Sequence, residues 1–348
     1  MKLKSIMLGT AASLVMTTGA FAADALTDTV VPTAVDYVKV CDAFGAGFFV
    51  IPGMETCLKI GGRVRTGFEY LEDNVFLGLD ANGNERWDDS YRWFANGRID
   101  FDARTASDFG TVRSFFRIES EPDRNAVISQ AFIQVGYLTA GYSDGDTVFN
   151  DDALYGNFYD DGYGAPGNGL QLNVVVDDLG GGFFVGGQVI AANNGSGLLT
   201  VDYQNDANDV ALVGIVGIAD QAWGSASLSG HYDNASEGFV IKATADLVIT
   251  DGFGARLTAG YLDNGANVDA FIVSGAVSYD VTPDLNLFVG AIYGFNDGDD
   301  PFEINGGIGY TLAEGLTLAA EVRYADDAGD TPNTDGNFDA IVGLIRTF

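Results

Sequence analysis

Between Cys57 and Tyr70 the chain changes character at every step. Leu58, Ile60, Val64, Thr66, Phe68 and Tyr70 share one parity, while Lys59, Arg63, Arg65 and Glu69 share the other, with glycines filling the gaps. A period of two is the mark of a strand with one apolar and one polar face. Tyr91 to Ala103 repeats the pattern, setting Tyr91, Trp93, Ala95, Ile99 and Phe101 against Arg92, Asn96, Arg98, Asp100 and Asp102. In Thr111 to Ser120, Val112, Phe116 and Ile118 oppose Arg113, Arg117 and Glu119. The same test predicts further strands near 126–136, 138–143, 170–176, 183–191, 209–219, 224–232, 239–249, 255–262, 269–279, 286–295, 302–312, 316–324 and 337–348, sixteen in all. No apolar stretch of helical period occurs after the first 22 residues.

The connections fall into two kinds. Arg104 to Phe109, Asp177 to Gly180, Asp280 to Asp284 and Ala313 to Gly315 are short and turn-like, whereas Leu71 to Asp88, Asp144 to Gly169, Ala192 to Asn208 and Ala325 to Gly336 are longer and acidic. An even strand count, short turns on one rim and long loops on the other are the arrangement of a transmembrane β-barrel. The last predicted strand ends on Phe348, an aromatic residue where the membrane interface favours one. A soluble antiparallel sandwich also alternates, but needs neither this loop rhythm nor an aromatic end. The expected fold is therefore all-β, a 16-stranded antiparallel transmembrane barrel with its third outer loop folded inward.

The amino terminus adds the compartment. Lys2 and Lys4, an apolar centre from Ile6 to Met16, and Ala20-Phe21-Ala22 read as an export signal cleaved after Ala22. The expected organisation is a signal peptide at 1–22, an amino-terminal periplasmic segment at 23–56, and the barrel at 57–348. Cys41 and Cys57 are the only cysteines, and in an exported chain a disulfide between them is the default, worth ~3 kcal/mol by loop entropy.

Composition and charge narrow the function. Gly at 47 residues, with 24 Phe and 15 Tyr, suits strands and tight turns. The net charge of -32 excludes a nucleic-acid surface, and a hydrophobic content of 47% excludes disorder as the reason for it. Ten of the 17 Lys and Arg lie between Lys59 and Arg124, and none between Asn125 and Ile241. Seven of them, Lys59, Arg63, Arg65, Arg92, Arg98, Arg113 and Arg117, occupy the polar parity of the first three strands. In a closed barrel they form one basic patch on the inner wall. The longest insertion carries Asp144, Asp146, Asp151, Asp152, Asp160 and Asp161 among Phe149, Tyr155, Phe158, Tyr159 and Tyr163. So many rings favour burial, at ~1.5–3 kcal/mol for each large apolar side chain, so the insertion is expected to fold against the barrel interior. An acidic loop opposite a basic wall would narrow a pore and set a transverse field across it.

Catalysis has little material. His231 is the sole histidine and falls on a polar parity, as a wall residue would. Asp80, Asn82 and Asn84 begin like a calcium loop, but Glu85 stands where Gly is needed and Tyr91 where the closing Glu is needed. Gly180 to Gly187 lacks the Lys-Ser or Lys-Thr of a phosphate cradle. No enzyme, cofactor or metal site is expected.

The stretch VKVCDAFGAGFFVIPGMETCLKIGGRVR, Val38 to Arg65, resembles the amino-terminal motif of the alphaproteobacterial porins of rhizobia and brucellae. AFIQVGYLTAGYSD, Ala131 to Asp144, is similar to that family's fourth and fifth strands, and AWGSASLSGHYDN, Ala222 to Asn234, to a later hairpin strand. The resemblance implies a homotrimer of sixteen-stranded barrels in the outer membrane of a Gram-negative cell, each a passive, water-filled diffusion channel for small hydrophilic solutes and ions. It also implies the Cys41–Cys57 bridge, the basic wall, and Asp144 onward as a constriction loop. The acidic loops lean toward cations and the basic wall the other way. A solute-specific channel is the nearer alternative, and an exported structural or adhesive β protein with cation-binding loops the more distant one. Arg346 departs from the apolar parity of the last strand, where a neighbouring subunit is one explanation.

Overall fold

The computed structural model describes residues 39–79, 85–120, 125–143, 148–150, 152–159, 163, 166, 169–192, 210–234, 236–265, 269–296, 300–326 and 336–348. The expected export signal and its cleavage site lie outside them, as do the calcium-like residues Asp80, Asn82 and Asn84.

Two short strands come first, β1 (Lys39–Val40) and β2 (Phe49–Val50). Sixteen longer ones follow: β3 (Cys57–Leu79), β4 (Glu85–Ser107), β5 (Gly110–Ser120), β6 (Val127–Val135), β7 (Leu138–Ser143), β8 (Gly169–Val176), β9 (Phe183–Ala192), β10 (Ala211–Gln221), β11 (Gly224–Asp233), β12 (Phe239–Thr250), β13 (Phe253–Asp263), β14 (Asp269–Thr282), β15 (Leu285–Asn296), β16 (Phe302–Ala313), β17 (Leu316–Asp326) and β18 (Asn337–Thr347). Each pairs antiparallel with the next, and β18 returns to β3, from Asp339 opposite Leu71 to Thr347 opposite Arg63. The barrel is closed with sixteen strands, as the alternation predicts, and closure removes every unpaired edge from the membrane.

Phe348 extends the seam. Its N–H donates to the Gly62 carbonyl at 3.1 Å and its own oxygen accepts from the Gly62 N–H at 3.0 Å. Gly62 has no room for a side chain, since a Cβ there would stand 2.4 Å from the Arg98 carbonyl and 2.7 Å from the Phe348 ring. Close backbone approach, not turn geometry, requires glycine at this position.

Six of the seven hairpin turns on the rim of Phe348 hold two residues, as at Asp251-Gly252 and Glu314-Gly315, and the one between β8 and β9 holds six, whereas the connections on the far rim hold five or more. One expected loop is mostly strand: β3 and β4 continue through Leu71 to Leu79 and Glu85 to Ser90, with register shifts between Leu71 and Val75 and between Phe76 and Gly78. Backbone pairing outlasts the side-chain alternation there, because a hairpin standing clear of the membrane has no lipid face to keep apolar.

The two faces of the sheet are chemically distinct. On the outer parity, Trp93 is 81% exposed and Val216, Leu228, Ile241 and Leu257 are exposed with it, as lipid contact demands. Aromatic side chains gather at both ends of this face. Phe68 meets Trp93 at 5.3 Å and Tyr70 meets Tyr91 at 5.1 Å toward one rim, and Phe253 meets Tyr279 at 6.1 Å toward the other. These are the interfacial girdles of an outer-membrane barrel. Arg346, on the outer parity, donates to the Glu314 carbonyl in the turn beside it, so the charge reaches the rim instead of lipid.

The Cys41–Cys57 disulfide forms, with Cα atoms 6.0 Å apart. It ties the segment before β3 into a small core of Cys41, Cys57, Phe48, Phe44 and Val50. At Phe48 and Phe44 this core abuts inner-parity residues of β3 to β5.

Candidate functional site

Polar parity brings the seven basic residues of the first strands onto one surface. Across β3 and β4, Lys59 stands opposite Asp102, Arg63 opposite Arg98, Arg65 opposite Asn96 and Glu69 opposite Arg92. Across β4 and β5, Arg98 stands opposite Glu119, Asp100 opposite Arg117, and Arg104 opposite Arg113. Arg104 thus joins the wall, although its place beside a turn signal conceals it in the sequence. The parity of Arg98, Asp100 and Asp102 extends to it and would have found it.

The arginines share their acids. Asp100 accepts from Arg117 at 2.8 Å and lies 3.5 Å from Arg98, while Asp102 pairs with Arg104 at 2.8 Å and Arg113 at 3.1 Å. Arg92 pairs with Glu69, and the Arg65 Nε donates to the Asn96 side chain at 3.1 Å. Rings also hold guanidinium planes in place: Arg104 lies 5.0 Å from the Phe48 centroid, and Arg113 and Arg117 lie 5.0 and 5.4 Å from that of Phe115. Among the described residues Lys59 and Arg63 make no ion pair. Eight cations, counting Arg104, against Glu69, Asp100, Asp102 and Glu119 leave this wall with four positive charges in excess.

The opposite wall differs. Inner-parity positions of β9 to β15 include Ile190, Val213, Val240, Leu262, Ile272 and Ile292, all buried. They are covered by the connection between β7 and β8. Val148 and Phe149 pack with Ile190, Val213, Val240 and Leu262, while Ala153, Leu154 and Tyr163 pack with Ile272, Ala276 and Ile292. Phe149 is fully buried, edge-on to His231 at 5.3 Å, so the single histidine is a wall residue under a ring.

Polar contacts fix the path of the connection. Lys242, 0% exposed, donates to the Asp152 and Tyr163 carbonyls at 3.5 and 3.4 Å and lies 5.1 and 4.8 Å from the centroids of Phe149 and Tyr163. Arg256 bridges Asp246 at 2.7 Å and Asp152 at 3.2 Å and donates to the Leu154 carbonyl at 3.3 Å. Asn305 donates to the Tyr155 carbonyl at 2.9 Å. The Asn157 and Phe158 N–H groups both donate to one Glu321 oxygen at 3.0 Å, and Gly156 permits this approach because a Cβ there would meet the Tyr159 carbonyl at 1.8 Å. Beyond Glu321, Tyr159 lies under Arg323 at 4.9 Å and Phe158 reaches Phe94 of β4 at 5.8 Å. Burial holds the Tyr159 and Tyr163 hydroxyls well above the usual phenol range, so neither contributes charge at neutral pH.

Of the six acids expected in this connection, Asp152 is seen, paired with Arg256. Asp144, Asp146, Asp151, Asp160 and Asp161 lie outside the described residues. Lys242, Arg256, Arg323 and Glu321, which anchor the segment, went unnoticed in the sequence because each is isolated among apolar neighbours. Their common position on a polar parity was the available signal.

Residues 28–341 match the family model described as Porin subfamily. The chain is 30% identical over 382 residues to Porin Omp2b of Brucella suis biovar 1, covering 99% of both chains, and equally similar to Porin Omp2b of Brucella abortus. Among solved structures, the outer membrane channel DcaP of Acinetobacter baumannii superposes with a TM-score of 0.65 at 15% identity, over 86% of this chain and 99% of that one. An anion-selective porin from Comamonas acidovorans gives 0.59 at 14% identity, over 84% and 100%.

Proposed function

The chain belongs to the porin subfamily and is a diffusion channel of the outer membrane, and from that premise we propose that the connection 144–169 narrows the channel against the arginine wall. The observation that carries this reading is the double hydrogen bond from Asn157 and Phe158 to Glu321, a residue of β17 far from where the connection leaves β7. A segment held there spans the inner face from β9 to β17 and stands across from β3 to β5. Family and relatives indicate a channel and not an enzyme, and no catalytic step enters the proposal.

Passage is passive. Water and small hydrophilic solutes move through the gap between the covered wall and the basic one, and solutes with orientable dipoles align in the field between them. The basic wall has four positive charges in excess, whereas the far wall sets Asp233, Asp246, Glu303, Glu321 and Asp339 against Lys242, Arg256 and Arg323. Apolar solutes displace water from the charged walls and offer no hydrogen bonds in exchange.

The channel works as a homotrimer in this reading. An apolar groove of about 400 Å³ crosses β16, β17, β18 and β3 on the outer face, floored by Gly306, Ala320 and Ala340 and flanked by Phe68 and Tyr70. Small residues let another wall approach closely, and one structural neighbour, OmpT of Vibrio cholerae, is described in a trimer form.

Single-channel recording in planar bilayers tests the proposal. Ohmic steps are expected, with larger conductance when residues 148–163 are replaced by a short Gly-Ser turn. A purified protein without ohmic conductance overturns the pore, and unchanged conductance after the replacement overturns the constriction alone.

A further inference from the structure

The disulfide-tied segment before β3 does more than begin the barrel. Together with the basic wall it encloses a cavity of about 450 Å³, lined by Phe44, Ala46, Phe48, Lys59, Gly61, Asp100, Asp102, Arg104 and Phe115. That volume lies within the ~300–1,000 Å³ range of small-molecule sites. The described residues of the 144–169 segment pack on β8 to β18 and on Phe94, none of which lines this cavity.

The wall around this cavity is positive in spite of the two acids that line it with Lys59 and Arg104, because Arg98, Arg113 and Arg117 stand behind those acids. Asp102 sits between Arg104 and Arg113, and Asp100 between Arg98 and Arg117, so each carboxylate with its two guanidinium groups retains one positive charge. Lys59 adds another, and among the described residues it makes neither an ion pair nor a hydrogen bond. Its stem is held beside Gly47, where a Cβ would approach the Lys59 Cε to 3.3 Å, so the ammonium group stands at the cavity; the carboxylates that line it with Lys59, those of Asp100 and Asp102, are paired with arginines.

The other side is carbon. Phe48 and Phe115 are buried beneath the guanidinium groups they orient, which leaves the half-buried Phe44 and the exposed Ala46 to meet a ligand. An inorganic anion would satisfy the cations and waste the rings, and a neutral aromatic would do the reverse. The geometry points to a binding subsite for small organic monoanions with a flat apolar body, the carboxylate on Lys59 and the Arg104 edge, the body against Phe44. The disulfide holds the carbon side in register with the charged side. The inference deepens the channel reading by giving it a solute class that pauses in transit, while the binding itself does not require conduction.

Isothermal titration of benzoate into the protein purified from outer membranes in detergent tests it. Saturable binding is expected, with benzamide about tenfold weaker or more because it lacks the hydrogen bond to a charged group, and acetate about tenfold weaker or more because it lacks the ring that would be buried. Lys59→Gln is expected to weaken benzoate about tenfold, Phe44→Ala to weaken benzoate but not acetate, and the double Cys41→Ser/Cys57→Ser variant to lose the preference for benzoate over acetate. Slow migration before heating shows that each variant retains its barrel. Absence of saturable benzoate binding, equal binding of acetate, or benzoate binding unaffected by Lys59→Gln overturns the subsite. Because titration does not depend on conductance, a failure here is distinct from a failure of the pore, which bilayer recording would reveal separately.

Discussion

Two walls of one barrel are built to different rules. On β3 to β5 the inner parity carries part-exposed arginines that share acids. On β9 to β17 it carries buried aliphatic residues and isolated charges covered by the segment from Val148 to Tyr163. The basic wall keeps its guanidinium groups rigid by sharing Asp100 and Asp102 and by laying them on Phe48 and Phe115. The covered wall instead gives its charges to another piece of chain: Lys242 and Arg256 hold backbone carbonyls, and Glu321 holds backbone N–H groups. A charge on an inner wall can therefore serve the solute or the loop. Which it serves depends on whether its neighbours in the same parity are polar or apolar.

The largest effect is expected at the seam on which both walls depend. Deleting Phe348 removes both hydrogen bonds to Gly62 and an aromatic ring at the interface, and the yield of heat-modifiable barrel in outer-membrane fractions is expected to fall sharply. The conductance of any protein that still inserts should be that of the parent. On the covered wall, Phe149→Ala empties a fully buried site and is expected to cost about 3–5 kcal/mol of the segment's anchorage. Hydrogen exchange at Phe149 to Tyr159 would show it as lost protection, with the strands unaffected.

Glu321→Ala leaves two half-buried N–H donors without their acceptor, a loss of roughly 1–3 kcal/mol. Open-channel noise should increase as the segment detaches, and retention of a quiet channel would break the contrast between the walls. The smallest change belongs to the bare wall. Replacing Arg98 and Arg117 together by Gln lowers its excess from four positive charges to two and leaves Asp100 without its cations, so the reversal potential in a salt gradient should shift toward cation preference with the barrel's stability little altered. No shift would mean that this wall does not face the solute path.

Much of the barrel was legible because lipid on one side and water on the other force a period of two. Leu138–Ser143 and Asp269–Thr282 begin where the alternation places them, and the two-residue turns fall where Gly and Asp interrupt it. The first hairpin was read too short, since Leu71 to Leu79 is held by backbone pairing and not by a face that must stay apolar. The basic ladder was also legible, as seven cations share a parity on three consecutive strands, although Arg104 was hidden by its turn. The covered wall was harder. Phe183–Ala192 and Asp269–Thr282 are apolar on both parities, the pattern of a sheet covered on both faces, and that runs against the polar lining expected of a pore.

Alternation and loop rhythm were enough to specify a sixteen-stranded membrane barrel, because these are local consequences of the solvent on each face. Pairing Asn157 with Glu321, sharing Asp102 between Arg104 and Arg113, and closing the cavity between Phe44 and Lys59 all waited on the closed sheet. Those contacts depend on the curvature that brings distant strands face to face across an interior, and no periodicity along a single strand contains that distance.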